Sequence, residues 1–172
     1  ILNSIKSYEY TYPKVNFIGN KEKLCDWISE KIPNSVDTVF DAFSGGSSIS
    51  YHLKKIGYEL YSNDILTVNY LISKSIVENS KNKLTERDLE LILKGSPVKG
   101  FAYKKFSNKY FFENECMEID QYLKNINNLK NNYKKALSLT ILRRALIRKM
   151  PYSRFNIPWN KIKQLRDEKY SY

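Results

Sequence analysis

The tightest constraint on the fold lies between residues 35 and 78. Ser35 to Phe40 (SVDTVF) is a β-branched run that reads as a buried strand. A tight turn, Ser44-Gly45-Gly46-Ser47, opens a helix over Ser48–Lys55, which Gly57 stops. Tyr58 to Ser62 is a second strand ending at Asn63-Asp64, and a helix follows over Leu66–Glu78. Two strands joined by a crossover helix pair in parallel, and the crossover is right-handed. The expected class is therefore α/β. Upstream, Leu24, Trp27, Ile28 and Ile32 share one face of a helix over residues 20–32, which Pro33-Asn34 ends.

The turn also suggests chemistry. In Asp41-Ala42-Phe43-Ser44-Gly45-Gly46, glycines let the backbone approach a ligand because no Cβ intervenes. The next helix points its free N–H groups at the same space. Asp64 ends the second strand, where an acid can accept hydrogen bonds from ribose hydroxyls. The combination points to a nucleoside cofactor. It is a poor dinucleotide fingerprint, with two adjacent glycines followed by Ser47 and Ser48, and this disfavours a nicotinamide enzyme. Just upstream, Asn16-Phe17-Ile18-Gly19-Asn20-Lys21 places an aromatic, a glycine and a lysine at a helix entrance. There they can cover a ligand and neutralise its carboxylate, although Lys21 also reads as an ordinary solvated lysine.

Charge divides the chain. Residues 1–86 carry ten basic and ten acidic side chains, whereas residues 87–172 carry nineteen and eight, which accounts for the whole net charge of +11. Between Tyr122 and Arg166 there are twelve Lys and Arg and no acid. Tyr133, Tyr152, Phe155 and Trp159 are interleaved with them. A polyanion neutralises such a stretch, and nucleic acid is the expected partner. Two parts are therefore expected: an α/β cofactor part over 1–86 and a basic, mainly helical part over 87–172. In the latter, Thr85–Leu93 is a capped helix, 95–112 is irregular, and helices span Asn114–Ile126 and Lys130–Lys149. Leu137, Ile141, Leu142, Ala145 and Ile147 are the core candidates of the last helix. Pro151 and Pro158 bracket a loop.

Other classes are disfavoured. The mean hydropathy of −0.54 and the lack of a long apolar run argue against a membrane span. The first ten residues are too polar for a secretory signal. Cys25 and Cys116 have no pairing motif and read as reduced thiols of a cytoplasmic protein. His52, the single histidine, cannot build a His-rich metal site, and no metal is expected. A first residue other than Met suggests a fragment or a processed product.

The motifs in their order resemble a known family. Phe17-Ile18-Gly19-Asn20-Lys21, then Asp41 to Gly46, then Ser62-Asn63-Asp64 are similar to the Dam-like DNA adenine-N6 methyltransferases. Arg154-Phe155-Asn156-Ile157-Pro158 looks like the Phe-Asn-Val-Pro segment these enzymes carry after a basic helix. The resemblance spans roughly residues 12–160 and implies a Rossmann-like S-adenosylmethionine-dependent fold, here with a partial sheet. It places Phe17, Ile18, Gly19 and Lys21 beside S-adenosylmethionine, with Lys21 near its carboxylate. Asp41, Phe43, Ser44, Gly45 and Gly46 would form the turn under the methionine portion. Asp64 would bind the ribose, with Ile65 against the adenine. Arg143, Arg144, Arg148, Lys149, Arg154, Asn156, Lys161 and Lys163 would face double-stranded DNA.

There are two departures from the family pattern. Ser47 stands where the family usually has a third glycine. The catalytic Asp-Pro-Pro-Tyr signature is absent from these 172 residues; Lys149-Met150-Pro151-Tyr152 lacks the acid and reads as a helix stop. The expectation is a site-specific adenine methyltransferase of a restriction-modification system, in a chain ending before its catalytic strand and inactive by itself. Exposed sheet edges would then favour self-association. A DNA-binding module without chemistry and an RNA methyltransferase are the competing readings.

Overall fold

The computed structural model describes residues 11–13 and 18–169, so Phe17 lies outside the described residues. The chain forms two compact units that meet in sequence between Asn82 and Lys83.

In the first unit, strands β1 (Thr38–Asp41) and β2 (Glu59–Ser62) pair in parallel, with Thr38 opposite Glu59 and Asp41 opposite Ser62. A short helix α1 (Cys25–Ser29) precedes them, and α2 (Ser48–Ile56) makes the crossover. Gly57, at φ +109°, closes α2 in the left-handed conformation expected of a glycine stop. Helix α3 (Thr67–Ser73) runs on into a π turn over Lys74–Glu78. Lys54 of α2 caps that turn by donating to the carbonyls of Val77 and, at 2.9 Å, of Asn79. Burial, with Lys55 nearby, holds the Lys54 pKa below its ordinary value. Tyr12 and Ile72 form the core, with Tyr51, Val68 and Ile76 packed against them.

Three expectations change here. Strand β1 starts at Thr38 rather than Ser35 and is not buried. Val39 and Leu60 point inward, while the register partners Phe40 and Tyr61 share an open face. The expected helix over 20–32 is a 3-10 turn (Glu22–Leu24) followed by only five α residues. The tighter turn breaks the 3.6-residue stripe, so Leu24 and Trp27 are exposed and Cys25 is the buried residue. The Ser29 hydroxyl donates to the Asp26 carbonyl at 2.7 Å, a local bond that competes with continuing the helix. The sheet has two strands among the described residues, so the fold is a helix-rich α/β arrangement with a small parallel sheet.

The second unit is helical. Helix α4 (Glu86–Leu93) carries the expected capping box: the Asp88 carboxylate accepts from Thr85 N at 2.8 Å, and Thr85 Oγ1 accepts from Asp88 N at 3.3 Å. Helix α5 (Phe101–Phe106) lies inside the stretch expected to be irregular. Its N-terminus is held by Asp120, which accepts from the N–H groups of Gly100, Ala102 and Tyr103, each at 2.8 Å. A Cβ at Gly100 would lie 2.7 Å from Asp120 Cγ, so only glycine fits. Helices α6 (Glu113–Asn127) and α7 (Asn132–Lys149) match their expected places, while α8 (Trp159–Lys169) was not foreseen beyond Pro158.

The core of this unit is Ala102, Phe111, Cys116, Ile119, Met150 and Ile162. None of the five α7 core candidates is fully buried; Ala136 and Ser138 are. Apolar residues run around the whole circumference of α7 instead of forming one stripe. Glu115 clamps three elements together. It accepts from both terminal nitrogens of Arg166 on α8, from Lys149 Nζ at 2.5 Å at the end of α7, and from Phe112 N at 2.9 Å.

Candidate functional site

A pocket of about 140 Å³ opens beside the turn after β1. Seven of the sequence-selected residues line it: Gly19, Lys21, Asp41, Phe43, Ser44, Gly45 and Gly46. Asn20, Ser48 and Ile49 also line it and were not selected. Ser48 and Ile49 open α2, where main-chain N–H groups lack helical partners.

The turn is fixed from three sides. Asp64 reaches across from the end of β2 and accepts from Gly45 N at 2.8 Å. Its other oxygen accepts from Leu66 N at 2.9 Å and from the buried Asn69 side chain at 3.0 Å. Burial raises the Asp64 pKa, but these three bonds outweigh it and hold the carboxyl below its ordinary value. A carboxylate has about four acceptor positions. Asp64 therefore acts first as a strap on the turn and keeps about one position for a ligand. From α3, Ser73 Oγ lies 3.0 Å from Ser44 Oγ and 2.6 Å from Ser47 Oγ. From the N-terminal side, the Tyr12 hydroxyl donates to the Gly46 carbonyl. Asp41 is engaged by Ser50 at 2.5 Å, which in turn accepts from Ser62 at 3.1 Å. Tyr12 and Ser73 were invisible to motif reading because their partners are 26 or more residues away. Asn69 is only five residues from Asp64 but belongs to no motif that was read.

Ser47 occupies the position of the missing glycine at φ +61°, completely buried. The left-handed conformation costs an L-residue about 1–2 kcal/mol, and the bond to Ser73 offsets this. Ser47→Gly is therefore expected to change stability by less than about 1 kcal/mol, since strain and bond are lost together. Ser47→Ala keeps the strain and loses the bond, and is expected to cost about 1–2 kcal/mol. Urea unfolding of the two variants checks the ordering.

Near this turn, three large apolar side chains stand almost fully exposed among the described residues. Ile18 is 97% exposed, Phe43 88% and Ile65 93%. Ile18 and Ile65 do not line the pocket itself. Cys25 lies just beneath, its thiol donating to the carbonyls of Lys21 and Ser48 at 3.6 Å. Burial, then Asp26 and Glu22, push its pKa up to about 11, which keeps it a protonated, unreactive thiol. Cys116 is likewise free and buried. His52 lies 3.7 Å from Asp26. No cluster of three or more metal-ligating side chains occurs among the described residues. No described helix is long and apolar enough to cross a membrane.

The basic residues selected in the second unit are not equivalent. Arg143 and Arg144 are half-buried on α7, and Arg148 is exposed near its end. Lys149 is committed to Glu115, so its charge serves the clamp. Arg154 and Asn156 are exposed in the loop before α8. Phe155 anchors that loop edge-on against Tyr110, at 5.5 Å between ring centroids, and Phe111, at 6.4 Å. Lys161 is exposed and donates to Gln164 at 3.0 Å, and Lys163 is half-buried.

Residues 17–172 match the family model described as D12 class N6 adenine-specific DNA methyltransferase. The chain is 51% identical over 161 residues to the Type II methyltransferase M2.HphI of Haemophilus parahaemolyticus, covering 94% of the chain and 48% of that relative. It is 30% identical over 128 residues to the Type II methyltransferase M.CviAII of Paramecium bursaria Chlorella virus 1, covering 68% and 39%. Against the Type II methyltransferase M.FokI of Planomicrobium okeanokoites it is 29% identical over 109 residues, covering 60% and 16%. The chain thus spans about half the length, or less, of these relatives. No solved structure matches it.

Proposed function

The chain belongs to the D12 class of N6 adenine-specific DNA methyltransferases, and we propose that it carries the methyl-donor site and part of the DNA-facing surface of such an enzyme. The observation that carries this reading is the pocket at the Ser44–Gly46 turn, lined by Lys21 and the exposed Phe43. The methyl donor is S-adenosylmethionine, which supplies an electrophilic methyl group when bound.

The residues fit that group. A volume of about 140 Å³ accommodates only part of a ligand this size, and Phe43, Ile18 and Ile65 give the remainder an apolar surface to cover. Lys21 neutralises the carboxylate. Gly45 and Gly46 bring main-chain atoms close, and the remaining acceptor position of Asp64 is available to a ribose hydroxyl. The apolar rim excludes water once covered. Asp-Pro-Pro-Tyr does not occur in these 172 residues, so no residue of this chain is assigned to activating the adenine amine.

In the second unit, Arg148, Arg154 and Lys161 meet phosphates while Asn156 is offered to the duplex. The target amine is paired and stacked, so the whole enzyme extrudes the adenine before reaction. We place this activity in a restriction-modification system of the cytoplasm. The DNA half of the reading is tested by titrating a mixed-sequence duplex of about 30 base pairs at rising salt. Affinity is expected to fall steeply with salt, and Arg148→Ala with Arg154→Ala is expected to reduce the log–log slope by about two. Binding that is absent, or indifferent to salt, contradicts it.

A further inference from the structure

The turn between α7 and α8 holds its backbone in an unusual state. Tyr152 and Ser153 are both left-handed, each at φ +54°. Among the described residues, the other left-handed positions have reasons. Gly19, Gly45, Gly57 and Gly95 have no Cβ, Asn108 is a residue type that tolerates the conformation, and Ser47 has its bond to Ser73. A tyrosine there is an outlier, because a bulky side chain gains nothing from the conformation locally. Strain of this kind persists when the surroundings impose it, and it concentrates at functional positions.

The surroundings do impose it. On one side Met150 and Pro151 are buried in the core of the unit. On the other, Phe155 is held by Tyr110 and Phe111. Bonds from Ser153 N to the Met150 carbonyl at 2.9 Å and from Arg154 N to the Pro151 carbonyl at 3.1 Å close the turn. Burial does not explain the side chain: Tyr152 is 65% exposed. Arg148 and Arg154 stand near it in sequence, within a stretch of forty-five residues that has no acid. An exposed aromatic on a held turn, with arginines four residues before and two after it in the chain, is suited to the π-face of a nucleobase, the arginines being available to adjoining phosphates.

From this we propose that Tyr152 is a DNA-contacting residue that stacks on a base of the bound duplex and is held ready by the strained turn. The proposal rests on the DNA-facing reading above. It concerns recognition and positioning of the substrate, not the methyl transfer itself.

The test compares Tyr152→Gly, Tyr152→Phe and Ser153→Gly in the full chain, using the same mixed-sequence duplex. Tyr152→Gly relieves the strain and removes the ring. Its melting temperature should be unchanged or raised while duplex affinity falls about tenfold or more. The salt slope should stay as in the unsubstituted chain, because a neutral stacking contact releases no counterions. Tyr152→Phe should retain affinity within about threefold. Ser153→Gly relieves similar strain but keeps the ring, and should also bind within about threefold. Unchanged affinity of Tyr152→Gly, or a lowered melting temperature with no selective binding loss, overturns the proposal. If the unsubstituted chain binds no duplex at all, the DNA-facing reading fails and the proposal falls with it. A chain that binds while Tyr152→Gly is silent leaves that reading standing.

Discussion

Glu115→Ala is expected to destabilise the second unit by about 3–5 kcal/mol, the usual cost of removing one partner from a buried ion pair. The substitution strands the Arg166 guanidinium, which is only 6% exposed. It also removes the acceptor for Lys149 and the cap on Phe112 N. Burial opposes ionisation of Glu115, but Arg166, Lys149 and Phe112 N outweigh it and bring its pKa down to about 2. Asp88 is lowered to about 2 as well, first by Lys134 at 2.6 Å, then by the Thr85 N–H and hydroxyl. A depressed carboxylate contributes stability that is complete above its unfolded pKa and is lost as pH falls toward the folded one. The stability of this unit should therefore be flat from pH 7 to about 5 and decline progressively from about 4.5 toward 2. Melts of the chain and of Glu115→Ala should lie closer together at pH 3 than at pH 7. A variant within 1 kcal/mol of the parent at pH 7, or an acid-insensitive parent, contradicts the clamp.

Asp64→Ala should cost about 3 kcal/mol in the first unit, because it leaves Gly45 N, Leu66 N and the Asn69 amide without their shared acceptor. The effect on a ligand is indirect for the most part. The turn under the pocket loosens, so binding should disappear along with stability. A variant that melts with the parent yet binds S-adenosylmethionine more weakly would instead assign Asp64 entirely to the ligand. Chemical denaturation beside a ligand titration separates the two.

The two strands, the Gly turn and the Thr85 cap were legible from signals a few residues long, and the parallel pairing of the strands, about twenty residues apart, followed from the crossover helix between them. Their signals are local: a β-branched run, two glycines, a Thr followed by Asp88. Helix α5 was not legible because its capping acid, Asp120, is about twenty residues away and on another helix. The aspartate at the end of β2 was read correctly in place. Its bonds to Leu66 N and Asn69 are local, but the bond that straps the turn, from Gly45 N, depends on a tertiary approach that no spacing reveals. The α7 core candidates failed for a different reason: an apolar residue counts as core only when a neighbouring element covers its face. Ser47 illustrates the limit of motif comparison. A serine in place of the glycine could alter the turn or, being small, fit it; the left-handed backbone is present, with Ser73 supporting the serine that adopts it.

The central claim is that the Ser44–Gly46 pocket holds S-adenosylmethionine with Phe43 against it. The most direct measurement is calorimetric titration of the chain and of Phe43→Ala with S-adenosylmethionine, with NAD as the control ligand. Phe43 is almost fully exposed, so its truncation should leave the melting temperature unchanged while removing an apolar contact worth about 1–2 kcal/mol. The account predicts heat with S-adenosylmethionine and none with NAD, and an affinity about five- to thirtyfold weaker in Phe43→Ala. A folded chain that gives no heat with S-adenosylmethionine, or a Phe43→Ala variant that binds as the parent does, contradicts it.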